Sequence, residues 1–255
     1  MRFDLITIFP DILESYFSKG MMRIAAEKKL IKIKTHDLRQ YAVDKHGTVD
    51  DRPYGGGPGQ VLMVEPVYRA LKQLNKKTKK QRSTLREPQD DKTKIILLSA
   101  KGKKWNQQLA QKFSKLDQII FVCPRYEGHD ERIRKFVDEE ISIGDFILTG
   151  GELAAAVIID SITRLIPGVL GKQESLRDES HSTPGYLEYP QFTRPEMFEY
   201  NKATKRRNTE ALKYESKKAK KQKIKPQKLI VPKILLSGHH ANVAEWRKEH
   251  EKRKG

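Results

Sequence analysis

The stretch IILLSAKGKKWNQQLAQKFSKLDQIIFVC, residues 95–123, decides the fold class of this chain. Its two ends, 95–99 and 119–123, are short apolar runs typical of buried strands. The residues between them place four apolar side chains on one face of a helix: Trp105, Leu109, Phe113 and Leu116. Strand, loop and helix in this order predict an α/β domain with a parallel sheet.

The same order of elements recurs along the first two thirds of the chain. Residues 141–148 form the next predicted strand, and an apolar helix follows over residues 152–166. Thr149 and Glu152 have the spacing of a capping box, which predicts that Thr149 caps this helix. The other predicted elements are a strand at 3–9, a helix at 11–29 interrupted near Gly20, a strand at 31–35 and a helix at 65–74. Ligands of such sheets bind beyond the carboxyl ends of the strands, so we expect a site in the loops after the strands at 95, 119 and 141.

The charge of the chain is strongly positive and unevenly distributed. The formal net charge is +18 over 255 residues, and residues 201–230 alone hold ten Lys and two Arg against two Glu. Lysines in such a run neutralise phosphates without reading sequence, so this segment indicates contact with RNA or DNA. The alternative is a solubilising segment without a partner.

Several classes of protein are excluded by composition. No apolar run approaches the ~20 residues of a membrane span, and the N-terminus has no signal-peptide pattern. Cys123 is the single cysteine, which indicates a reducing compartment, and we expect a cytoplasmic protein with no membrane partner. No histidine or cysteine spacing indicates a metal site.

Two loops are candidates for a binding role. TVDDRPYGGGPGQ, residues 48–60, carries four glycines, which permit close backbone approach either to a ligand or to another chain segment. It lacks the Lys and Ser/Thr of a phosphate-binding Walker loop, which argues against a nucleotide hydrolase. PRYEGHDER, residues 124–132, places charged residues directly after a strand, where they can bind a polar ligand or begin a short helix.

Six blocks in order resemble a known family. They are TVDDRPYGGGPG at 48–59, RYEG.DER at 125–132, SIGDFILTGGELAA at 142–155, R.IPGVLG at 164–171, TRPE at 193–196 and VPKILLSGHHANVAEWR at 231–247. Together they resemble the bacterial tRNA (guanine-N1)-methyltransferase (TrmD) family of the SPOUT superfamily. The resemblance covers most of residues 1–200 and returns at 231–247.

The resemblance implies both a fold and an activity. The implied activity is S-adenosyl-L-methionine-dependent methylation of N1 of guanosine at tRNA position 37, next to the anticodon. The implied fold is a SPOUT α/β domain with a deep trefoil knot, followed by a small helical C-terminal domain that binds the tRNA anticodon arm. An obligate homodimer with active sites built from both subunits is implied as well. The corresponding domains are a knotted cofactor-binding domain at 1–168, a linker with the Lys-rich insert at 169–230 and a short C-terminal tRNA-binding part at 231–255.

The resemblance also assigns site residues by position. Cofactor-binding residues are expected in three loops: Leu97, Leu98, Ser99 and Gly102; Pro124, Tyr126, Glu127 and Gly128; and Ser142, Ile143, Gly144, Asp145, Phe146, Ile147, Leu148, Gly150 and Gly151. tRNA-binding residues are expected at Arg52, Gly55, Gly56, Gly57, His239 and Arg247. Arg164 matches the arginine that stabilises charge on the guanine.

The general base is the point where this chain departs from the family. The family has an aspartate just before a serine in the linker, whereas counting from Arg164 places Glu179 at that position, with Asp178 one residue earlier. Either carboxylate is a candidate base, and Glu179 is favoured. Pro124 and His129 stand where the family usually has Gly and Ile, and Pro124 removes a backbone N–H donor from the cofactor loop. A tRNA-binding protein with weakened catalysis is therefore the alternative function.

The Lys-rich insert is a second departure. The family passes from TRPE to the VP block through a shorter linker, and its C-terminal part is longer. We expect the insert to supply phosphate contacts in place of those of the shorter C-terminal part.

Overall fold

The computed structural model describes residues 1–79, 92–171, 179–200 and 226–253. The chain divides into two compact units, residues 1–177 and 178–255. The three-part division at 168 and 230 remains a prediction. The Lys-rich run lies outside the described residues up to residue 225.

A five-stranded parallel sheet forms the centre of the first unit. Its strands are β1 (Arg2–Thr7), β2 (Lys32–Asp37), β5 (Thr93–Lys104), β6 (Gln118–Val122) and β7 (Glu139–Ser142). The strand order is β2-β1-β6-β5-β7, and every neighbouring pair is parallel. A short antiparallel pair, β3 (Asp50–Asp51) with β4 (Val61–Leu62), lies outside this sheet. The predicted α/β fold with a parallel sheet is confirmed.

Alternation along the central strands divides the core into two layers. On β1, Leu5 belongs to one buried cluster and Ile6 to the other, as expected when successive side chains point to opposite faces. All five residues of β6 are buried, so this strand is covered on both faces.

Helices cover the sheet. They are α1 (Glu14–Phe17), α2 (Gly20–Glu27), α3 (Val64–Lys79), α4 (Gln107–Phe113) and α5 (Glu152–Thr163), with 3-10 turns at Leu38–Tyr41 and Glu131–Phe136. Gly20 interrupts the first helical segment as predicted, and its φ of +56° suits glycine. Eight residues of α5 are buried, which explains its nearly continuous apolar sequence.

Three predicted boundaries differ most from the structure. β5 continues through residues 100–103, which the sequence predicts to be a loop, and ends at Lys104, because Lys103 and Lys104 pair with β7 after a register shift at Leu98. β7 ends at Ser142, so residues 143–148 form a loop rather than a strand. α3 extends to Lys79, five residues beyond the predicted end, because the lysines that follow the apolar pattern are themselves good helix formers.

The second unit is built from short elements. Two antiparallel pairs are present, β8 (Tyr186–Leu187) with β11 (Lys252–Arg253) and β9 (Met197–Tyr200) with β10 (Gln227–Ile230). The helices are α6 (Lys233–Leu236) and α7 (His240–His250). A helix is present near the C-terminus as α7, and strands β8, β9 and β10 lie within residues 169–230, which were expected to be a linker.

A buried carboxylate near the start of β1 is a further feature that no apolar pattern revealed. Asp4 accepts hydrogen bonds from Arg2 Nη2 at 2.6 Å and from Gln118 Nε2 at 2.8 Å, and its Oδ1 lies 2.7 Å from His36 Nε2. Burial raises the pKa of Asp4, but the hydrogen bonds from His36, Arg2 and Gln118 and the charge of Arg2 outweigh it, so the pKa lies below its ordinary value.

We expect Asp4→Asn to lower the free energy of unfolding at pH 7 by about 1.5–3 kcal/mol, because charge-assisted hydrogen bonds in a buried site are lost. A depressed folded pKa gives stability that is present above the unfolded pKa of about 3.9 and lost as pH falls through the folded pKa. The difference between wild type and variant should therefore shrink below about pH 4. Urea denaturation across this pH range measures it. Asp117→Asn, which breaks an exposed ion pair with Lys92, should cost less than about 1 kcal/mol at any pH.

Candidate cofactor pocket and catalytic residues

Residues 98–101 within β5 and the loops that follow β6 and β7 meet at one edge of the sheet. These strands are adjacent and parallel, so their carboxyl ends lie side by side. A pocket of about 280 Å³ opens there. The expected place for a ligand therefore coincides with an actual cavity.

Most of the residues predicted to bind a cofactor line this pocket. They are Leu98, Ser99, Pro124, Tyr126, Glu127, Gly128, Ser142, Ile143, Gly144, Phe146, Ile147, Leu148, Gly150 and Gly151. The lining also includes residues outside the prediction: Ala100, Lys101, Arg125, His129, Glu131, Ile141, Thr149 and Ala154. Three of these additional residues, Arg125, His129 and Glu131, belong to the charged loop 124–132. The position of this loop directly after a strand could have indicated from sequence that they lie in the pocket.

Three predicted cofactor residues lie elsewhere. Leu97 is fully buried in the core cluster that contains Ile120, because it points to the opposite face of β5 from Leu98. Gly102 lies inside β5 against the backbone of β7, where a Cβ would be 2.5 Å from Ile141 N. Asp145 is 77% exposed and pairs with Lys104.

The second loop of the pocket has a constrained backbone. Tyr126 adopts φ +63°, a conformation that few non-glycine residues accept. Burial, followed by the charge of Asp50 and a hydrogen bond to it, raises the pKa of the Tyr126 hydroxyl. The phenol therefore stays protonated at neutral pH and can donate a hydrogen bond.

His129 closes the same loop next to several charged groups. Burial lowers the pKa of His129, while Glu140 and Glu131 raise it and Lys101 and Arg134 lower it, with a net decrease. The buried His129 Nε2 has no hydrogen-bond partner within the part of the chain that the structure describes. The imidazole is therefore neutral at pH 7.

The third loop reaches α5 without the predicted capping box. Gly151 occupies the N-cap, and no side chain caps the helix. Glu152 is buried instead, and it accepts hydrogen bonds from Thr7 Oγ1 at 2.6 Å and Arg125 Nε at 3.1 Å. The capping prediction is wrong because these tertiary partners hold the carboxylate.

The glycine-rich segment 48–60 contains a close crossing of chain segments, one of its two predicted uses, and its use in ligand binding stays a prediction. Gly59, at φ +76°, packs so closely on Glu127 that a Cβ would lie 2.4 Å from Glu127 Cγ, which is a close crossing of chain segments. Gly55, Gly56 and Gly57 also have positive φ values, but a Cβ on Gly55 or Gly56 would meet nothing within 4 Å. Arg52 is exposed and its backbone N–H donates to Asp51. The exposed part of the loop is therefore available for a ligand.

The predicted catalytic residues fall in different parts of the chain. Arg164 is the half-buried C-cap of α5, where its N–H donates to the Asp160 carbonyl at 3.2 Å, and it does not line the pocket. Asp178 lies outside the described residues. Glu179 is described in the second unit, where its carbonyl accepts the N–H of Ser182 at 3.0 Å.

The predicted tRNA-binding residues near the C-terminus belong to the second unit. His239 is the exposed N-cap of α7, and its N–H donates to Ser237 Oγ at 3.2 Å. The Arg247 guanidinium lies 4.8 Å from the Tyr189 ring centroid, in a pocket that also contains Phe192 and Trp246. This pocket combines cationic and aromatic groups, as surfaces that bind single-stranded nucleic acid do.

Two classes of site are not found among the residues that the structure covers. Within those ranges no three His, Cys, Asp or Glu side chains are grouped to hold a metal ion. No described helix has the length and apolar content needed to cross a membrane.

Comparison with known proteins identifies the family. The sequence profile described as "tRNA (Guanine-1)-methyltransferase TrmD" matches residues 1–228. A Clostridium botulinum protein named tRNA (guanine-N(1)-)-methyltransferase is 43% identical over 248 residues, which cover 97% of this chain and 85% of the relative. A Staphylococcus haemolyticus protein of the same name is 40% identical over 98% of this chain and 85% of its own length.

A solved structure supports the same assignment at the level of the fold. The crystal structure of tRNA (m1G37) methyltransferase from Aquifex aeolicus has a TM-score of 0.68 and 35% sequence identity to this chain. The match covers 98% of this chain and 88% of the Aquifex chain. The chain is therefore an enzyme of the tRNA (guanine-1)-methyltransferase TrmD family.

Proposed function

We propose that this enzyme transfers the methyl group of S-adenosyl-L-methionine to N1 of guanosine at position 37 of tRNA, next to the anticodon. The observation that carries the proposal is the pocket at the carboxyl edge of the parallel sheet, lined by blocks that this chain shares with its family. The proposal also includes a homodimer in the cytoplasm, with active sites built from both subunits. Within each subunit it includes a trefoil knot in residues 1–168, a linker at 169–230 and a C-terminal part at 231–255 that binds the anticodon arm. Their support is the family membership.

The pocket residues fit the proposed cofactor chemically. Leu98, Ile143 and Leu148 offer an apolar wall for an adenine ring, and the Glu127 carboxylate can accept hydrogen bonds from ribose hydroxyls. Gly128 has φ +132°, and a Cβ there would meet nothing within 4 Å, so its backbone is open to close approach. When bound, the cofactor supplies a methyl group that its sulfonium already activates.

The protein must then supply positioning and proton transfer. Guanine N1 carries a proton at neutral pH, so a carboxylate general base, Glu179 or Asp178, removes it. Arg164 stabilises the negative charge that develops on the guanine as the proton leaves. The pocket loops position the methyl donor in line with N1 of the guanine.

Methyl transfer to defined transcripts tests the proposal. Labelled S-adenosyl-L-methionine is supplied with a tRNA transcript that has guanosine at positions 36 and 37, and with a control that has adenosine at 37. Nucleoside mass spectrometry should find N1-methylguanosine in the first transcript only. No product with cofactor and tRNA binding intact would favour the tRNA-binding protein with weakened catalysis.

The Lys-rich insert should contribute phosphate contacts to tRNA binding. Residues 205–226 contain eight Lys and two Arg against two Glu. Removing one phosphate contact lowers the slope of log K against log salt by about 0.7–0.9. Deleting 205–226 should therefore weaken tRNA binding at low salt and flatten its salt dependence, as measured by filter binding between about 50 and about 200 mM salt.

A neutralised insert separates charge from length in this experiment. Replacing the eight lysines by glutamine keeps the number of residues and should reproduce the effect of the deletion. Unchanged affinity and slope in both variants would contradict a role of the insert in tRNA binding.

A further inference from the structure

A largely buried ion pair joins a residue of the candidate pocket, Arg125, to Glu152 at the start of α5. Arg125 Nε is 3.1 Å from both carboxylate oxygens of Glu152, and the two side chains are 17% and 1% exposed. The Arg125 guanidinium also lies 4.5 Å from the ring centroid of Phe9. Arg125 lines the pocket, and its Nε and guanidinium plane are held there by Glu152 and Phe9.

The pair connects three segments of the chain that meet at the same edge of the sheet. Arg125 belongs to the loop after β6, Glu152 begins α5, and Thr7 at the end of β1 donates from Oγ1 to Glu152 Oε1 at 2.6 Å. Thr7 Oγ1 in turn accepts the N–H of Phe9 at 3.0 Å. The carboxylate of Glu152 therefore holds together Thr7 at the end of β1 and Arg125 in the loop after β6.

Backbone contacts transmit this arrangement to the pocket wall. Gly151 N–H donates to the Pro124 carbonyl at 2.9 Å, and Arg125 forms an isolated antiparallel bridge with Gly150. A Cβ on Gly150 would lie 2.5 Å from Glu152 Oε2 and 2.7 Å from Arg125 Nε. The glycine therefore packs on the ion pair itself, and the pair sets the separation of two pocket loops.

We propose that Arg125 and Glu152 are positioning residues, which fix the backbone of 124–128 and 150–151 in the geometry that binds the methyl donor. This inference rests on the proposed function, because it takes the pocket to be the cofactor site. The Arg125–Glu152 ion pair would thus raise the affinity for S-adenosyl-L-methionine in addition to stabilising the fold.

A pair of single variants and their combination separate positioning from stability. Arg125→Met or Glu152→Met leaves one buried charge without its partner, which should destabilise the protein. The double variant removes both charges, and replacing a buried pair by apolar residues of similar size is often neutral for stability. Stability should therefore recover in the double variant, whereas the geometry of the loops should not.

The whole 255-residue chain is titrated with S-adenosyl-L-methionine by calorimetry, and urea denaturation is followed in parallel. We expect at least tenfold weaker binding in both single variants and in the double variant, with the urea midpoint restored in the double variant alone. Arg132→Met, which breaks the exposed pair with Asp130 on the same loop, is the matched control and should bind as the wild type does. Double-variant affinity equal to that of the wild type would overturn the inference.

If the double variant does not fold, Glu152→Gln provides the second test. This substitution keeps the size of the side chain and an oxygen that can accept the hydrogen bond from Thr7. In this variant KM for the cofactor should rise at least tenfold while kcat changes less than threefold, and the calorimetric Kd should follow KM. An unchanged KM and Kd would contradict positioning. A wild-type protein that does not bind S-adenosyl-L-methionine would overturn both the proposed function and this inference, whereas wild-type binding with unaffected variants would overturn the inference alone.

Discussion

Gly102→Ala is expected to lower the free energy of unfolding by about 1–3 kcal/mol, the usual cost of forcing an extra carbon into a packed site. The new Cβ would lie 2.5 Å from Ile141 N and 2.6 Å from the carbonyl carbons of Glu140 and Ile141. These are backbone atoms of a paired strand, so no side-chain rotation can relieve the contact. β5 and β7 would have to separate where Lys103 pairs with Ile141.

The effect of this substitution should reach the candidate pocket through β7. Ser142 is the last residue of β7 and lines the pocket. Any displacement of the strand therefore moves Ser142 and changes the shape of the pocket. Urea denaturation measures the loss of stability, and hydrogen exchange of the β7 amides shows whether the pairing has loosened. Cofactor affinity should fall together with amide protection.

Gly171→Ala is the matched control for this experiment. A Cβ on Gly171 would meet nothing within 4 Å, so its effect on stability should stay within about 0.5 kcal/mol. Weaker cofactor binding by Gly102→Ala at unchanged stability and amide protection would instead indicate that Gly102 faces the ligand, as the family resemblance implied.

The location of the pocket could be predicted from sequence because it depends on strand direction. Apolar runs at 95–99 and 119–123 and the start of the run at 141 identify three strands of the sheet. Parallel pairing then brings their carboxyl ends to one edge, whatever the details of the loops. Strand direction was therefore sufficient to place Tyr126 and the other residues of the loops after β6 and β7 at this edge, whereas Ser99, predicted to end its strand, lies within β5.

The contacts inside the pocket wall could not be predicted in the same way. Glu152 has the spacing of a capping residue, but Thr7 and Arg125, distant in sequence, hold its carboxylate. Leu97 and Leu98 are neighbours in sequence whose side chains point to opposite faces, so assigning a whole segment by resemblance cannot distinguish the core residue from the pocket residue. Local patterns carry no information about such tertiary partners.

Polar residues inside β5 were the other source of error. Residues 100–104 contain three lysines and a glycine, a composition that favours a loop. They continue the strand because β7 supplies hydrogen bonds beyond the register shift, and the lysine side chains remain outside the core. Pairing with a neighbour outweighs local propensity at this position.

Removal of the proposed general base is the second change for which we expect a large effect. Glu179→Gln should lower kcat by about 10²–10⁴, the usual contribution of a positioned acid or base. The reason is that guanine N1 is a poor nucleophile until its proton has left. The affinities for tRNA and for S-adenosyl-L-methionine should change little, because the glutamine keeps the size of the side chain.

Asp178→Asn is the decisive comparison, since Asp178 and Glu179 are the two carboxylates at the family's base position. With Glu179 as the base, Asp178→Asn should lower kcat less than tenfold, and Glu188→Gln, the same chemical change elsewhere in the second unit, should leave it unchanged. Single-turnover rates at saturating cofactor and tRNA, measured across pH, isolate the chemical step, and the dependence on a deprotonated base should disappear with Glu179→Gln alone. A large loss in Asp178→Asn instead would assign the base to Asp178, and small losses in both would mean that neither carboxylate takes the N1 proton.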